Sequence, residues 1–280
     1  MHKRFTIFLY GVVCYAVFFV TFLYALGFVG NFLVPVTLDG PARLPTGQAL
    51  LIDVLLLGAF ALQHSVMARP FFKRWLTRFI PESAERSTYV LFSSLALIAL
   101  FTHWQPLGGI AWDAQHAALR AVLYTAFGFG WLLVLVATFL INHFDLFGLR
   151  QVWLQLRERP YHPLRFGTPG PYRLVRHPLY LGWLVAFWAT PTMTGTHLLF
   201  AFMTTAYILV AIQLEEQDLV DALGDDYRRY RDRVPMIIPW SREQAAKRPL
   251  RDTPRRIRKL STRQGAGAPQ QCVDTPPSHT

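Results

Sequence analysis

The chain has 280 residues and a formal net charge of +11, with 52% hydrophobic and only 16% charged residues. Its apolar residues collect in long runs, which excludes an ordinary soluble domain and points to a polytopic helical membrane protein. Its two cysteines, Cys14 in the first apolar run and Cys272 near the end, exclude a disulfide scaffold and a cysteine-based metal centre.

Six stretches read as spans, at about 7–33, 49–67, 87–104, 119–142, 179–194 and 197–214. The first follows MHKR, but it is far longer than the roughly 7–15 apolar residues of a signal peptide and lacks a small-residue cleavage site. It reads as a retained helix. The last two are short and share the turn TPTMTGT, so they are expected to form a tight helical hairpin, and the count of spans is five or six. The expected fold is all-α: five or six transmembrane helices with a cytoplasmic C-terminal module.

Segments 1–6, 68–86, 143–177 and 215–280 carry two, five, six and thirteen Lys or Arg, whereas 34–48 and 105–118 carry only Arg43. Basic residues near span ends mark the cytoplasmic side, so six crossings put both termini in the cytoplasm. The positive charge therefore reads as topology and not as nucleic-acid binding. Residues 241–280 are rich in Pro, Gly, Gln and Ser and lack an apolar period, so this basic tail is expected to be disordered and to touch anionic headgroups. No phosphate-binding glycine loop and no internal repeat is present, and nothing in the sequence fixes the oligomeric state.

Two polar clusters interrupt the spans. ALQHSVMAR places Gln63, His64 and Ser65 near the end of the second, and FLINHFDLFGLRQVW places Asn142, His143, Asp145, Arg150 and Gln151 at the exit of the fourth. Ionisable residues at membrane depth mark functional sites by default, although His64 also reads as a satisfied interhelical hydrogen bond.

In PYRLVRHPLYLG, Pro178 suits the first position of a helix and His177 its N-cap. A helix start attracts anions, and Arg176 strengthens that attraction. The sixth span ends in Glu215 and Glu216, and hairpin arms of equal length, about 27 Å each, return them to the level of Arg176 and His177. Such a mouth suits a zwitterion with a positive centre, or it is a plain ion pair closing the hairpin. Tyr227 and Tyr230 then share one helix face, and Pro235 and Pro239 end that helix.

The order GPYRLVRHPLYLGW, apolar hairpin, EEQDLV, GDDYRRY and a proline resembles the C-terminal module of the isoprenylcysteine carboxyl methyltransferase and phospholipid methyltransferase superfamily. The likeness covers about residues 170–240, with Leu223 where the superfamily often has Phe. It implies that 170–240 bind S-adenosylmethionine in a cytoplasm-facing pocket, through Tyr172, Arg176, His177, Pro178, Tyr180, Gly182, Glu215, Glu216, Tyr227 and Tyr230, with no metal. Residues 1–169 then shape the acceptor site.

NHFDLFGLRQVWL and the QHS…AR stretch also resemble the bacterial methanethiol S-methyltransferases, close to the NnrU-like membrane proteins. That resemblance implies methyl transfer to a small thiol, methanethiol, at a bacterial inner membrane, giving dimethyl sulfide and S-adenosylhomocysteine. A thiol must be deprotonated to act as a nucleophile. His143, held by Asp145, is the expected base and Arg150 the alternative stabiliser, with Phe144, Phe147, Trp153 and Trp183 as a dry wall. Two other readings stay open: a larger lipid or isoprenoid acceptor, and a non-enzymatic NnrU-like protein.

Overall fold

The computed structural model describes residues 1–164 and 166–239, so the tail at 241–280 lies outside the described residues. In chain order come α1 (His2–Gly30), α2 (Thr46–Ala68), α3 (Pro70–Leu76), α4 (Glu82–His103), β1 (Ile110–Asp113), α5 (Ala117–Ile141), α6 (His143–Leu146) and α7 (Leu149–Leu156). A 3-10 turn (Gly170–Arg173), α8 (Pro178–Trp188), β2 (Thr192–Thr194), α9 (Gly195–Leu223) and α10 (Asp225–Arg233) follow.

Helices α1, α2, α4, α5 and α9 are long and apolar enough to cross a membrane. Only 17–39% of each apolar window is buried inside the protein, and Leu55, Leu62, Phe129 and Val210 stand outward. A water-soluble protein hides that face; here it meets lipid. The chain is a multi-pass membrane protein.

The fifth apolar run departs from the hairpin expected of it. α8 has 11 residues and rises only about 16 Å, well short of a hydrocarbon core of about 30 Å. Pro191 has no N–H and biases Thr190 away from the helical region, so the helix stops at Trp188. The chain turns out of the helix at Ala189, where Thr190 N–H donates to Trp188 O at 3.0 Å, and β2 then pairs antiparallel with β1, Ile110 opposite Thr194 and Asp113 opposite Thr192. Among the described residues the fold is helical with this one small ladder, rather than purely α. Non-helical backbone at membrane depth persists only where protein satisfies it. Ala114 N–H donates to Pro191 O at 2.8 Å, Thr192 Oγ1 donates to Asp113 Oδ1 at 2.7 Å, and Ala189, Thr190 and Met193 are buried.

α9 runs on to Leu223, so Glu215 and Glu216 lie inside a helix and not beyond its end. The arms are unequal in residues, yet they still meet. Extended chain rises about 3.3 Å per residue against 1.5 Å in a helix, so the short strand makes up for the short helix.

The described parts of the basic segments gather at one end, where Arg4 pairs with Glu158 and Arg69 pairs with Asp218 at 3.0 Å. At the opposite end, Asp39 accepts hydrogen bonds from Thr194 and His197, and buried Asp53 accepts from Gln105 N–H at 2.9 Å. Between the ends, Phe28, Phe101, Trp104, Phe187 and Phe200 form the aromatic core. α8 lies against α5 through two glycines. A Cβ on Gly182 would meet Gly130 O at 2.8 Å and Val134 N at 2.9 Å. Gly182, expected at the cofactor, therefore faces α5, where only a glycine lets the two backbones approach.

Candidate active site

Pro178 opens α8 with His177 as its N-cap, as its spacing predicts. Just before it, Arg176 N–H donates to Pro235 O at 2.8 Å and His177 N–H to Met236 O at 3.1 Å, so the chain after α10 folds back onto the helix start. Arg176 Nε donates to Glu216 Oε1 at 2.6 Å, and its Nη1 donates to the carbonyls of Arg231 and Val234 at 2.9 and 2.6 Å. His177 Nε2 lies 3.0 Å from the same Glu216 oxygen. The plain ion pair weighed from the sequence is therefore formed, and it does more than close a hairpin. It ties α8, α9 and the C-terminal end of α10 into one unit. Gly224, at φ 60° and ψ −128°, makes the sharp turn between α9 and α10 that this clamp requires.

Glu215, the neighbouring carboxylate, is not in that clamp. Its Oε2 accepts the hydroxyl of Tyr180 at 3.0 Å, and its charge reaches the phenols of Tyr89, Tyr172 and Tyr227. On the next face, Tyr230 donates to the carbonyl of Tyr172 at 2.6 Å, and the Tyr227 and Tyr230 rings stand 5.8 Å apart against Phe166. Burial pushes the Tyr172 phenol up, and Glu215 adds to that. Tyr227 is likewise pushed up by burial and the two glutamates, and Tyr230 is pushed up to about 12, with burial outweighing the opposing Arg176 guanidinium. All three are neutral hydrogen-bonding groups near neutral pH.

The second expected cluster is arranged differently from its prediction. His143 is buried, its Nε2 lies 2.8 Å from the Tyr15 hydroxyl, and its Nδ1 lies 2.9 Å from Thr138 Oγ1. Thr138 donates its only hydroxyl proton to Leu135 O, so Nδ1 carries the ring proton and Nε2 accepts from Tyr15. Burial lowers the His143 pKa, which keeps the ring neutral. Asp145 does not hold His143; it binds Arg150 at 2.7 Å and Tyr161 at 3.3 Å, because α6 is a single turn that points the two side chains apart. Arg150 also donates to His162 O and lies over the Tyr161 ring. An open groove of about 420 Å³ borders His143, lined by Phe139, Leu140, Phe144 and Leu164. Of the expected dry wall, Phe147 stacks on Phe18, Trp153 packs beside Phe8 and Trp183 packs edge-on to Trp131.

Sequence reasoning missed the tyrosines that converge from other helices. Tyr89 of α4 and Tyr207 of α9 both lie within electrostatic reach of Tyr180, and Tyr207 lies 3.2 Å from Ser65 Oγ. The available signal was Tyr89 and Ser93, four apart in an apolar helix and both facing His64.

The sequence has relatives among known proteins. Over 85% of this chain, 57% of residues are identical to the methanethiol S-methyltransferase of Crocosphaera subtropica, 93% of which is covered. The chain belongs to the methanethiol S-methyltransferase family. The member from Mycobacterium tuberculosis is 54% identical, with 85% of this chain and 98% of that protein covered. Nurim of Sus scrofa is 32% identical over 60% of this chain and 66% of its own length. No family model matches the chain, and no solved structure matches it.

Proposed function

We propose that this chain transfers the methyl group of S-adenosylmethionine to methanethiol, leaving dimethyl sulfide and S-adenosylhomocysteine. The observation that carries this reading is the 57% identity to a methanethiol S-methyltransferase across 93% of that protein. The donor set beside α8 fits the methyl donor. It joins a carboxylate outside the structural clamp, Glu215, to phenol rings and a helix start, which suits a molecule with carboxylate, ammonium and sulfonium groups.

In this reading residues 170–239 are the cofactor module. Glu215 serves the ammonium or ribose hydroxyls, and Tyr172, Tyr180 and Tyr227 offer ring faces to cationic and aromatic parts. The first turn of α8, where Leu179 and Tyr180 carry N–H groups without intrahelical partners, serves the carboxylate together with Arg176. His177, Pro178 and Glu216 hold that helix start in place, and Tyr230 fixes Tyr172 through its carbonyl. When bound, S-adenosylmethionine supplies an electrophilic methyl group on a sulfonium. The protein's own part is to exclude water and to take the thiol proton, since the neutral thiol is a poor nucleophile.

We assign His143 to holding the end of α5 against α1, and the Arg150–Asp145–Tyr161 group to fastening the following loop. The basic end is the cytoplasmic one, with both termini there, in a bacterial inner membrane. The test is headspace gas chromatography on membranes containing the protein, S-adenosylmethionine and methanethiol, beside Glu215→Gln. Dimethyl sulfide from the native protein and at least tenfold less from the variant is the expected result. Equal yields from both reject the place given to Glu215, and none from either rejects the acceptor.

A further inference from the structure

His64 is the feature that the cofactor module leaves unused. It stands on α2, and its Nε2 lies 2.8 Å from the Tyr89 hydroxyl, while its Nδ1 pairs with Ser93 Oγ at 3.1 Å. Phe60 stacks on the ring at 5.2 Å, so the imidazole is oriented from both sides. A hydrogen bond between α2 and α4 needs only one such contact. Here three phenols from three helices, Tyr89, Tyr180 and Tyr207, gather around the Glu215 end of the module. Tyr89 is the one among them that carries a basic nitrogen behind its hydroxyl.

We propose that Tyr89 and His64 form the path by which the thiol loses its proton, with Tyr89 meeting the sulfur and His64 receiving the charge. This rests on the methanethiol reading above. The S–H bond breaks toward the Tyr89 oxygen as the phenol's own proton passes to His64 Nε2. The freed electron pair on sulfur forms the new bond to carbon, and the pair from the broken carbon–sulfonium bond stays on the departing thioether. His64 then returns the proton to water. His143 is less suited to this task. Its partners, Tyr15 of α1 and Thr138 of α5, are not among the tyrosines near Glu215, whereas the partner of His64 is Tyr89, which lies within electrostatic reach of Tyr180 and Glu215.

The charged and titratable groups near His64's partner Tyr89 are Arg86 of α4, Tyr207 and Glu215 of α9 and Tyr180 of α8, with Arg69, which follows α2 and is paired with Asp218, beside Tyr207. Tyr89 is the catalytic residue in this scheme and His64 acts through it.

The experiment measures kcat/KM for methanethiol against pH in the native protein, His64→Gln and Tyr89→Phe, with S-adenosylmethionine affinity by calorimetry. Loss of the proton path costs about 100-fold near neutral pH. The deficit shrinks at least tenfold by roughly pH 9.5, because thiols ionise unaided in that range. Affinity for S-adenosylmethionine stays within about twofold of native, which separates lost chemistry from lost structure; Tyr89→Phe keeps the ring, so it answers even if His64→Gln does not fold. A deficit that is constant with pH, or native turnover in Tyr89→Phe, overturns the path and leaves the methanethiol reading standing. Native protein that binds S-adenosylmethionine and forms no dimethyl sulfide overturns that reading and the path with it.

Discussion

Replacing Glu216 by Gln keeps the volume of the side chain and removes its charge. In the native protein one Glu216 oxygen receives Arg176 Nε at 2.6 Å and faces His177 Nε2 at 3.0 Å, with both side chains of the ion pair nearly buried, at 8% and 11% exposure. A charge-assisted hydrogen bond contributes about 1.5–3 kcal/mol, and breaking a buried pair by removing one partner costs about 3–5 kcal/mol. Arg176 keeps its bonds to the carbonyls of Arg231 and Val234, which holds the loss near the lower edge, about 3 kcal/mol. At roughly 2–4 °C per kcal/mol, the melting temperature in detergent falls by about 6–12 °C. Hydrogen exchange locates the damage: amides of α10 and of residues 235–236 lose protection first, because the clamp fastens them to α8. Glu215→Gln, one residue away, lowers S-adenosylmethionine affinity with a melting temperature within about 2 °C of native, since its contact is a single phenol hydroxyl. Equal melting temperatures for native and Glu216→Gln, or a larger drop in Glu215→Gln, refute this division between clamp and pocket.

Other consequences of the geometry are equally measurable. Gly182→Leu drives a side chain into Gly130 O and Val134 N, so it destabilises by more than the roughly 1–3 kcal/mol of ordinary overpacking, and detergent-stable protein is lost; native yield and melting temperature would contradict the crossing. Tyr230→Phe removes the bond to the Tyr172 carbonyl and costs about 0.5–1.5 kcal/mol, read by thermal unfolding. Because the folded Tyr230 pKa is raised to about 12 from the ordinary 10.0, its contribution is full below pH 10 and fades as pH rises through 12. The variant therefore shows a flatter alkaline stability curve, and an identical curve refutes the point. His143 is shifted the other way, downward by burial from 6.5, so its contribution is full above pH 6.5 and is lost as the medium turns more acidic. His143→Gln accordingly loses less stability than native between about pH 7 and pH 5, measured as the difference in melting temperature.

Much of this architecture is legible in the residues themselves. Long apolar runs give the five long helices, and the Lys and Arg bias of the loops matches the end where Arg4, Arg69 and residues 143–177 gather. Pro178 before an apolar run gives the helix start, and the spacing of RH and EE gives the meeting of Arg176 with Glu216. The break at Trp188 was hidden because hydropathy is blind to backbone state: AFWATPTMT is apolar whether helical or extended, and only Pro191 hints at the change. The role of Gly182 was hidden because a glycine in a motif does not say whether a ligand or a neighbouring helix needs the space. His143 and Asp145, two apart on one turn, cannot share a direction, and their true partners come from α1, α5 and the loop after α7. Tyr89 and Tyr207 join the site only through packing between helices far apart in sequence, which no local spacing records.

The most direct measurement supplies the purified protein in lipid discs with S-adenosylmethionine isotopically labelled in its methyl group, adds methanethiol, and follows both products by mass spectrometry. Labelled dimethyl sulfide and S-adenosylhomocysteine appearing in equal amounts, and only when the thiol is present, is the result predicted here. S-adenosylhomocysteine formed without labelled dimethyl sulfide, or at the same rate when methanethiol is left out, would contradict it.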